Sequence, residues 1–182
     1  ADTSIVTGTV NSIPYYHCSG AGSDVRHLVL LHGAKFTKED WKAAGLLGGF
    51  CRTANLSVSA MDLPVSAGHR ELTELLTAMQ EKKLISLPIA LVTPSASGKT
   101  ITDWMKTGDL SKLPNYVYRW TPVAAGSVAT ASEEQVISLQ KSTSNFSIFA
   151  IYGNRDDMGR KTKERVKERA GAKKLELEQA RI

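Results

Sequence analysis

The order of apolar and amphipathic segments is the feature that most restricts how this sequence can fold. Short β-type runs alternate with helix-type runs along nearly the whole chain. The predicted strands cover residues 6–16 (a pair around Asn11-Ser12), 26–31, 56–61, 88–92, 117–123, 147–152 and 174–177. The predicted helices cover residues 38–52, 71–83, 99–105, 133–140 and 160–170. This alternation predicts an α/β fold, with a mainly parallel sheet and helices on both faces.

The length and composition fit one domain over residues 1–182. The chain is 42% hydrophobic and 23% charged, which excludes disorder or a collagen-like structure for the chain as a whole. Its longest apolar runs, such as Leu28 to Leu31, fall far short of the ~20 residues that span a bilayer. We therefore expect a soluble protein without a membrane span.

The net charge of +5 comes from one segment near the end of the sequence. Residues 1–154 carry 13 basic and 12 acidic side chains, whereas residues 155–182 carry 10 and 6. The excess lies between Arg160 and Lys174, where Glu164 and Glu168 are interleaved at helical spacing. No aromatic residue for base stacking lies in that segment. We expect a solvated helix face there and no nucleic-acid partner.

Cys18 and Cys51 are the only two cysteines. Their spacing does not match a zinc site, and we expect neither a metal nor a resident cofactor. Reduced thiols in a reducing compartment are the first expectation, with one disulfide as the alternative. Because residue 1 is Ala, either the initiator Met was trimmed or a targeting segment was removed. We expect the cytoplasm or the interior of an organelle as the location.

The segment from Thr93 to Thr100 reads T-P-S-A-S-G-K-T and allows two interpretations. It matches the phosphate-binding loop G-x-x-x-x-G-K-[ST] except at its first position, where Thr93 replaces Gly. In that interpretation Lys99 would contact phosphates and Thr100 would contact magnesium. The missing Gly argues against it, because such a loop needs backbone freedom there.

The second interpretation of the same segment is a nucleophile elbow centred on Ser95. Such an elbow has the form small-x-Ser-x-small between a strand and a helix, and Thr93 and Ser97 are the two small residues here. The tight turn presents the serine hydroxyl above the sheet. The backbone N–H of the next residue, Ala96, then faces a developing oxyanion. A plain helix-capping serine remains the alternative structural interpretation.

Three other turns after predicted strands carry residue types that acyl transfer needs. His32-Gly33 follows the strand over 26–31, so the N–H of Ala34 is the candidate second oxyanion donor. Asp62-Leu63-Pro64, with Gly68-His69 behind it, resembles the D-L-P-G-x-G-x-S turn of α/β-hydrolases. The turn from Tyr152 to Asp156 resembles the one that carries a triad acid, and the order Ser then Asp agrees.

These turns together resemble the α/β-hydrolase fold, and more narrowly the α/β-hydrolase domain-containing protein 14 family. The residues that carry the narrower resemblance are Leu30 to Thr37 with Trp41, Pro94 to Gly98, Pro122 to Ala124, and Tyr152 to Asp156 with Met158 and Gly159. The resemblance implies a small, lid-less serine hydrolase or acyltransferase for short acyl groups. One branch transfers an acyl group from lysine to coenzyme A. Carried over by residue, it makes Ser95 the nucleophile, Asp156 the triad acid, and Ala34 and Ala96 the oxyanion donors.

The triad histidine is where the sequence departs from that family. The resemblance places it in the turn after the last strand, where this sequence reads Glu178 to Ile182, and it also implies a terminal helix. Among the four histidines, His32 is expected to brace the oxyanion loop, which leaves His69 as the one candidate substitute, because it lies in the turn after the strand over 56–61 at the edge that holds Ser95. A plain exposed turn residue is the alternative interpretation of His69. We therefore expect an α/β-hydrolase domain that lacks its final helix.

Three explanations for the missing histidine remain open. The natural chain is longer, a partner chain completes the domain, or the protein is an inactive hydrolase that serves protein–protein interaction. The first two leave a serine hydrolase or acyltransferase for small esters, thioesters or amides. The third predicts a protein partner over the C-terminal edge of the sheet. Nucleotide binding through the T-P-S-A-S-G-K-T loop is a further, separate alternative.

Overall fold

One eight-stranded sheet organises the chain. The computed structural model describes residues 4–132, 134, 135, 139, 146–153, 157, 161 and 175–177. The strands are β1 (Val6–Val10), β2 (Ile13–Cys18), β3 (Arg26–Leu30), β4 (Leu56–Met61), β5 (Ile89–Pro94), β6 (Val117–Val123), β7 (Ser147–Ala150) and β8 (Leu175–Leu177). Across the sheet they follow the order β1-β2-β4-β3-β5-β6-β7-β8.

The sheet is mainly parallel, as the alternation of segments predicted. β1 and β2 form an antiparallel hairpin, and β2 also pairs antiparallel with β4. Every other pairing from β4 through β3 to β8 is parallel. The carboxyl ends of β3 to β7 therefore meet at one edge, which is where ligand sites of such sheets form.

Helices cover both faces of the sheet. They are α1 (Lys38–Ala43), α2 (Leu46–Cys51), α3 (His69–Glu81), α4 (Lys99–Thr107) and α5 (Gly126–Ala129), with a 3-10 helix at Leu110–Asn115. Side chains alternate between the faces, so Val29 packs with the α3 and α4 cluster while Leu30 packs with Leu47 of α2. Helices on both faces confirm the predicted layer arrangement.

The predicted helix over residues 38–52 is wrong in one respect, because two short helices take its place. The first turn of α1 is capped by side chains: Thr37 Oγ1 accepts from the N–H of Glu39, and Asp40 Oδ2 accepts from the N–H of Thr37 at 2.7 Å. α1 nevertheless ends after one and a half turns. Gly45 adopts a φ of 72°, a left-handed conformation that breaks a helix and that glycine adopts without strain.

The expectation of reduced thiols is also wrong. Cys18 at the end of β2 and Cys51 at the end of α2 form a disulfide, with their Cα atoms 5.8 Å apart. The two residues are 33 positions apart, and only the packing of α2 on the sheet brings them together. Disulfides persist in oxidising compartments, so this bond is at odds with a reducing location.

Some predicted elements cannot be compared with the structure. The helices predicted over 133–140 and 160–170 fall largely outside the described residues. Residues 178–182, on which the expected loss of a final helix depended, fall outside them as well. Within the described residues, the 3-10 helix at Leu110–Asn115 and the helix α5 were not predicted.

Candidate active site

Ser95 lies directly after β5, where the chain turns from the sheet into a helix. Its φ is 50°, a left-handed conformation that non-glycine residues rarely adopt and that costs of order 1–3 kcal/mol. A 3-10 turn over Ser95–Gly98 follows and runs directly into α4. Ser95 is exposed, although Thr93 and Ser97, two residues before and after it, are buried. This is the strained strand-to-helix turn that the small-x-Ser-x-small pattern predicted.

The buried side chains around Ser95 explain why this turn tolerates residues other than glycine. Thr93 Oγ1 accepts a hydrogen bond of 2.8 Å from the indole N–H of the fully buried Trp120. The Ser97 hydroxyl donates to the Pro94 carbonyl at 2.9 Å. Each hydroxyl thus satisfies a polar group that burial would otherwise leave unpaired. Gly98 has no room for a side chain, since a Cβ there would lie 2.9 Å from Ala125 Cβ.

The same contacts bear on the phosphate-loop interpretation. The Thr100 hydroxyl, which would have to reach magnesium, is buried and donates to the Ser97 carbonyl at 2.9 Å. Lys99 Nζ contacts the Ser66 carbonyl at 3.4 Å. Gly98 is the glycine of the motif, and its lack of a side chain allows it to pack closely against α5. The motif is therefore explained by the construction of the elbow, and its geometry does not support nucleotide binding.

The loop between β3 and α1 lies against Ser95. A Cβ added to the buried Gly33 would sit 3.4 Å from Ser95 Cβ and 3.2 Å from the Phe36 ring. His32 Nδ1 lies 2.9 Å from the Gly33 carbonyl, so a proton on Nδ1 would brace the loop. Ala34 follows immediately and is exposed. The loop that holds the candidate oxyanion donor is thus within van der Waals reach of the elbow.

The Asp62-Leu63-Pro64 turn after β4 supports that loop from the other side. Asp62 Oδ1 accepts from the N–H of Lys38 at 2.6 Å, and Asp62 Oδ2 pairs with Lys38 Nζ at 3.1 Å. Hydrogen bonding to Glu39, followed by that to Asp62, raises the pKa of Lys38, while partial burial opposes the shift. These contacts tie the start of α1 to the carboxyl end of β4. Asp62 therefore holds the loop in place.

The segment that leads to Asp156 also reaches this edge of the sheet. The backbone N–H of Ala124 donates to the Ile151 carbonyl at 2.9 Å, and the N–H of Ile151 donates to the Pro122 carbonyl at 3.0 Å. These bonds extend the β6–β7 pairing to the end of both strands. Asp156 itself lies outside the described residues.

All four histidines of the sequence lie in the described part of the chain, and none of them hydrogen-bonds Ser95. His69, the predicted substitute base, begins α3 and places its Nδ1 2.9 Å from Asp103 Oδ2. The backbone N–H of His69 and then its side chain, by hydrogen bonding, lower the pKa of Asp103. Asp103 lies in the second turn of α4, about 12 Å of helix beyond Ser95. His69 therefore lies away from Ser95, beside the second turn of α4.

A cavity of about 180 Å³ opens beside the elbow. Its lining residues are His32, Gly33, Phe36, Thr37, Asp40, Trp41, Leu46 and Pro94. Leu46 was not predicted from the sequence as a residue of the site, although its neighbour in the sequence indicated that it would be exposed. Leu46 and Leu47 are adjacent on a helix, so both cannot face the sheet. Leu47 is buried and Leu46 is 48% exposed.

Two kinds of site were not found in the described residues. No group of three or more His, Cys, Asp or Glu side chains there is arranged to hold a metal ion. No helix among them is long and apolar enough to cross a membrane.

Comparison with known proteins identifies the fold through structure alone. No protein-family model matches the sequence, and no curated protein matches it. Three of the similar solved structures show how varied the enzymes of this shape are. S-formylglutathione hydrolase from Staphylococcus aureus matches at 11% identity with a TM-score of 0.71, over 98% of this chain and 89% of that one.

The other two structures are hydrolases with different substrates. The Cif epoxide hydrolase from Acinetobacter nosocomialis has 10% identity and a TM-score of 0.62, over 100% of this chain and 83% of that one. A carboxylesterase from Bacillus subtilis has 13% identity and a TM-score of 0.57, over 98% and 83%. At such identities the likeness defines the fold and leaves the chemistry to the site. The chain therefore has the α/β-hydrolase fold.

Proposed function

We propose that this protein is a serine hydrolase or acyltransferase that acts on small acyl esters, thioesters or amides through Ser95. The observation that carries the proposal is the backbone of Ser95, which is held at a φ of 50° at an exposed strand-to-helix turn. Strain of this kind persists only where the surroundings enforce it, and it concentrates at functional sites. The similar solved structures that are esterases are consistent with this chemistry.

In the proposed reaction, Ser95 Oγ attacks the acyl carbonyl and transfers its proton to a base. The N–H groups of Ala34 and Ala96 stabilise the oxyanion. Ala96 is the second residue of the helical turn, so its N–H has no intrahelical partner. Collapse of the tetrahedral intermediate expels the alcohol, thiol or amine, which takes the proton from the base. Water or a thiol acceptor then releases the acyl group from Ser95 by the same steps in reverse.

None of the four histidines, all of which lie in the described part of the chain, hydrogen-bonds Ser95, so the proposal leaves the base unassigned. A triad histidine oriented by Asp156 would complete the site. Without it Ser95 is a weak nucleophile at neutral pH. The engagement of His69 with Asp103 favours the second candidate, a catalytically inactive hydrolase fold that serves protein–protein interaction. Its partner would then be a protein at the C-terminal edge of the sheet.

Labelling with a fluorophosphonate separates the candidates. We expect an adduct on Ser95, located by mass spectrometry, that is lost in Ser95→Ala. Ser86→Ala changes another exposed serine in the same way and should label like the wild type. If circular dichroism shows a folded protein but Ser95 is not labelled, the proposal of a hydrolase fails and the interaction role is favoured. Saturable ATP binding that Lys99→Ala abolishes would overturn both.

A further inference from the structure

The cavity beside Ser95 has the position and the lining of a pocket for one part of a substrate. We propose that it binds the apolar acyl group of the substrate, with room for about six carbon atoms, and that Leu46 limits the chain length. This inference rests on the proposed function of Ser95. It adds the subsite, the size of the group and the residue that selects it.

Two of the residues that line the cavity lie next to Ser95. Pro94, which directly precedes Ser95, lines the cavity. Gly33, which also lines it, is the residue whose added Cβ would lie 3.4 Å from Ser95 Cβ. An acyl carbon bonded to Ser95 Oγ therefore has the cavity as neighbouring space for its chain.

Three of the lining residues use polar groups in hydrogen bonds within the protein. The Asp40 carboxylate accepts from the N–H of Thr37 at 2.7 Å, and Thr37 Oγ1 accepts from the N–H of Glu39 at 3.2 Å. The indole N–H of Trp41 donates to the Leu31 carbonyl at 2.8 Å. The lining surface that a ligand would contact comes mainly from the apolar side chains of Trp41, Phe36 and Leu46. Such a lining selects an apolar group.

The volume sets the size of that group. An engineered protein cavity of about 150 Å³ binds benzene. The cavity here, at about 180 Å³, is slightly larger. It therefore holds about six carbon atoms, as an extended chain or a ring, and a chain of ten carbons would leave its end in water.

Exposed apolar side chains concentrate at the same cavity. Among the described residues, three large hydrophobic side chains are notably exposed: Val6, Phe36 and Leu46. Two of the three, Phe36 at 55% and Leu46 at 48%, line the cavity. An apolar ligand would cover surface that is otherwise in contact with water, which favours its binding. Leu46 is the natural size filter because it can be altered without disturbing the core.

A first experiment tests the cavity without requiring any reaction at Ser95. Primary alcohols from butanol to decanol are titrated while the indole N–H resonances are followed by NMR. We expect saturable shifts at Trp41, with the buried Trp104 and Trp120 as internal controls. Affinity should rise about fourfold per methylene up to hexanol and level off beyond it. No saturable shift at Trp41, or a steady rise through decanol, would overturn the inference.

Substitutions at Leu46 test the size filter. Leu46→Ala should move the plateau from hexanol to octanol or longer and tighten octanol binding at least threefold. Leu46→Trp should weaken hexanol at least tenfold and butanol much less. Val6→Ala, which shortens another exposed apolar side chain on β1, should leave the series unchanged. A plateau at the same length in Leu46→Ala and the wild type would refute the role of Leu46.

A second experiment uses alkyl fluorophosphonates of increasing chain length and measures labelling of Ser95. We expect the rate to be highest near six carbons and the optimum to lengthen in Leu46→Ala. If alcohols bind as expected but no reagent labels Ser95, the cavity exists and the proposed function fails. If Ser95 labels at a rate independent of chain length, the function stands and the acyl pocket is wrong.

Discussion

Two turns of the molecule share an unusual left-handed backbone conformation. One is the hairpin turn between β1 and β2, and the other is the elbow between β5 and α4. Asn11 and Ser12 in the hairpin have φ values of 48° and 64°, close to the 50° of Ser95. In the hairpin both residues are exposed, and the left-handed turn simply matches the twist of the two strands. At the elbow Thr93 and Ser97 are buried on either side of Ser95.

The two turns differ in how they are supported. A hairpin that only reverses the chain needs no support beyond the pairing of its strands. The elbow is held by Trp120, which donates to Thr93, and by Ser97, which donates to Pro94. Buried hydrogen bonds on both sides of Ser95 thus hold the turn that exposes this serine to solvent. Four predictions test this contrast.

The largest expected effect comes from replacing the left-handed residue in each turn with glycine. Ser95→Gly should abolish fluorophosphonate labelling and lower any ester hydrolysis by roughly four orders of magnitude or more, because the variant lacks the proposed nucleophile. Its melting temperature should not fall, because glycine adopts this φ without the penalty that serine bears. Asn11→Gly should change neither property. Labelling that survives in Ser95→Gly would place the reactive serine elsewhere.

Removal of the disulfide should have the next largest effect, on stability. The bond closes a loop between residues 33 positions apart, so its loss in Cys18→Ala/Cys51→Ala should cost about 3–4 kcal/mol in the free energy of unfolding. Urea denaturation of the wild type and the double variant measures it. Reductant should lower the stability of the wild type and leave the variant unchanged. Alkylation of both cysteines in the unreduced, denatured protein would contradict the bond.

The sequence allowed prediction of the features that depend on nearby residues. The strand pattern and the turn at Ser95 both follow from local spacing, and both lie where predicted. The break at Gly45 was the local signal that was missed.

The remaining features join distant residues, which no local pattern reveals. The Cys18–Cys51 bond links β2 to α2. The Trp120–Thr93 hydrogen bond joins two neighbouring strands, and the cavity combines side chains from three segments. The family resemblance predicted which edge of the sheet would hold Ser95, but the lining of the cavity depended on how α2 packs.

A smaller effect is expected from removing a single hydroxyl at the elbow. Thr93→Val preserves the shape of the side chain but leaves the buried indole N–H of Trp120 without its acceptor. We expect a loss of about 1–3 kcal/mol in the free energy of unfolding. Thr7→Val makes the same change at an exposed position of the hairpin strand β1 and should stay within about 0.5 kcal/mol of the wild type. Equal effects at both positions would show that the elbow has no special support.

The smallest expected effect is a pH dependence on the hairpin side of the sheet, where β2 carries the buried His17. Its ring contacts Ser59 Oγ at 2.8 Å and Ser19 Oγ at 3.2 Å. Burial, and secondarily the charge of His27, lowers the pKa of His17 below 6.5, and burial lowers the pKa of His27 as well. More than about one pH unit above 6.5, both histidines are neutral in the folded and unfolded states, so neither lowers the free energy of unfolding. As the pH falls below 6.5, the unfolded chain takes up protons first, and stability decreases. Urea denaturation at pH 7.5, 6.5 and 5.5 should show this decrease in the wild type and a shallower one in His17→Gln. Equal slopes in the two proteins would mean that the buried histidine of β2 does not govern the acid response.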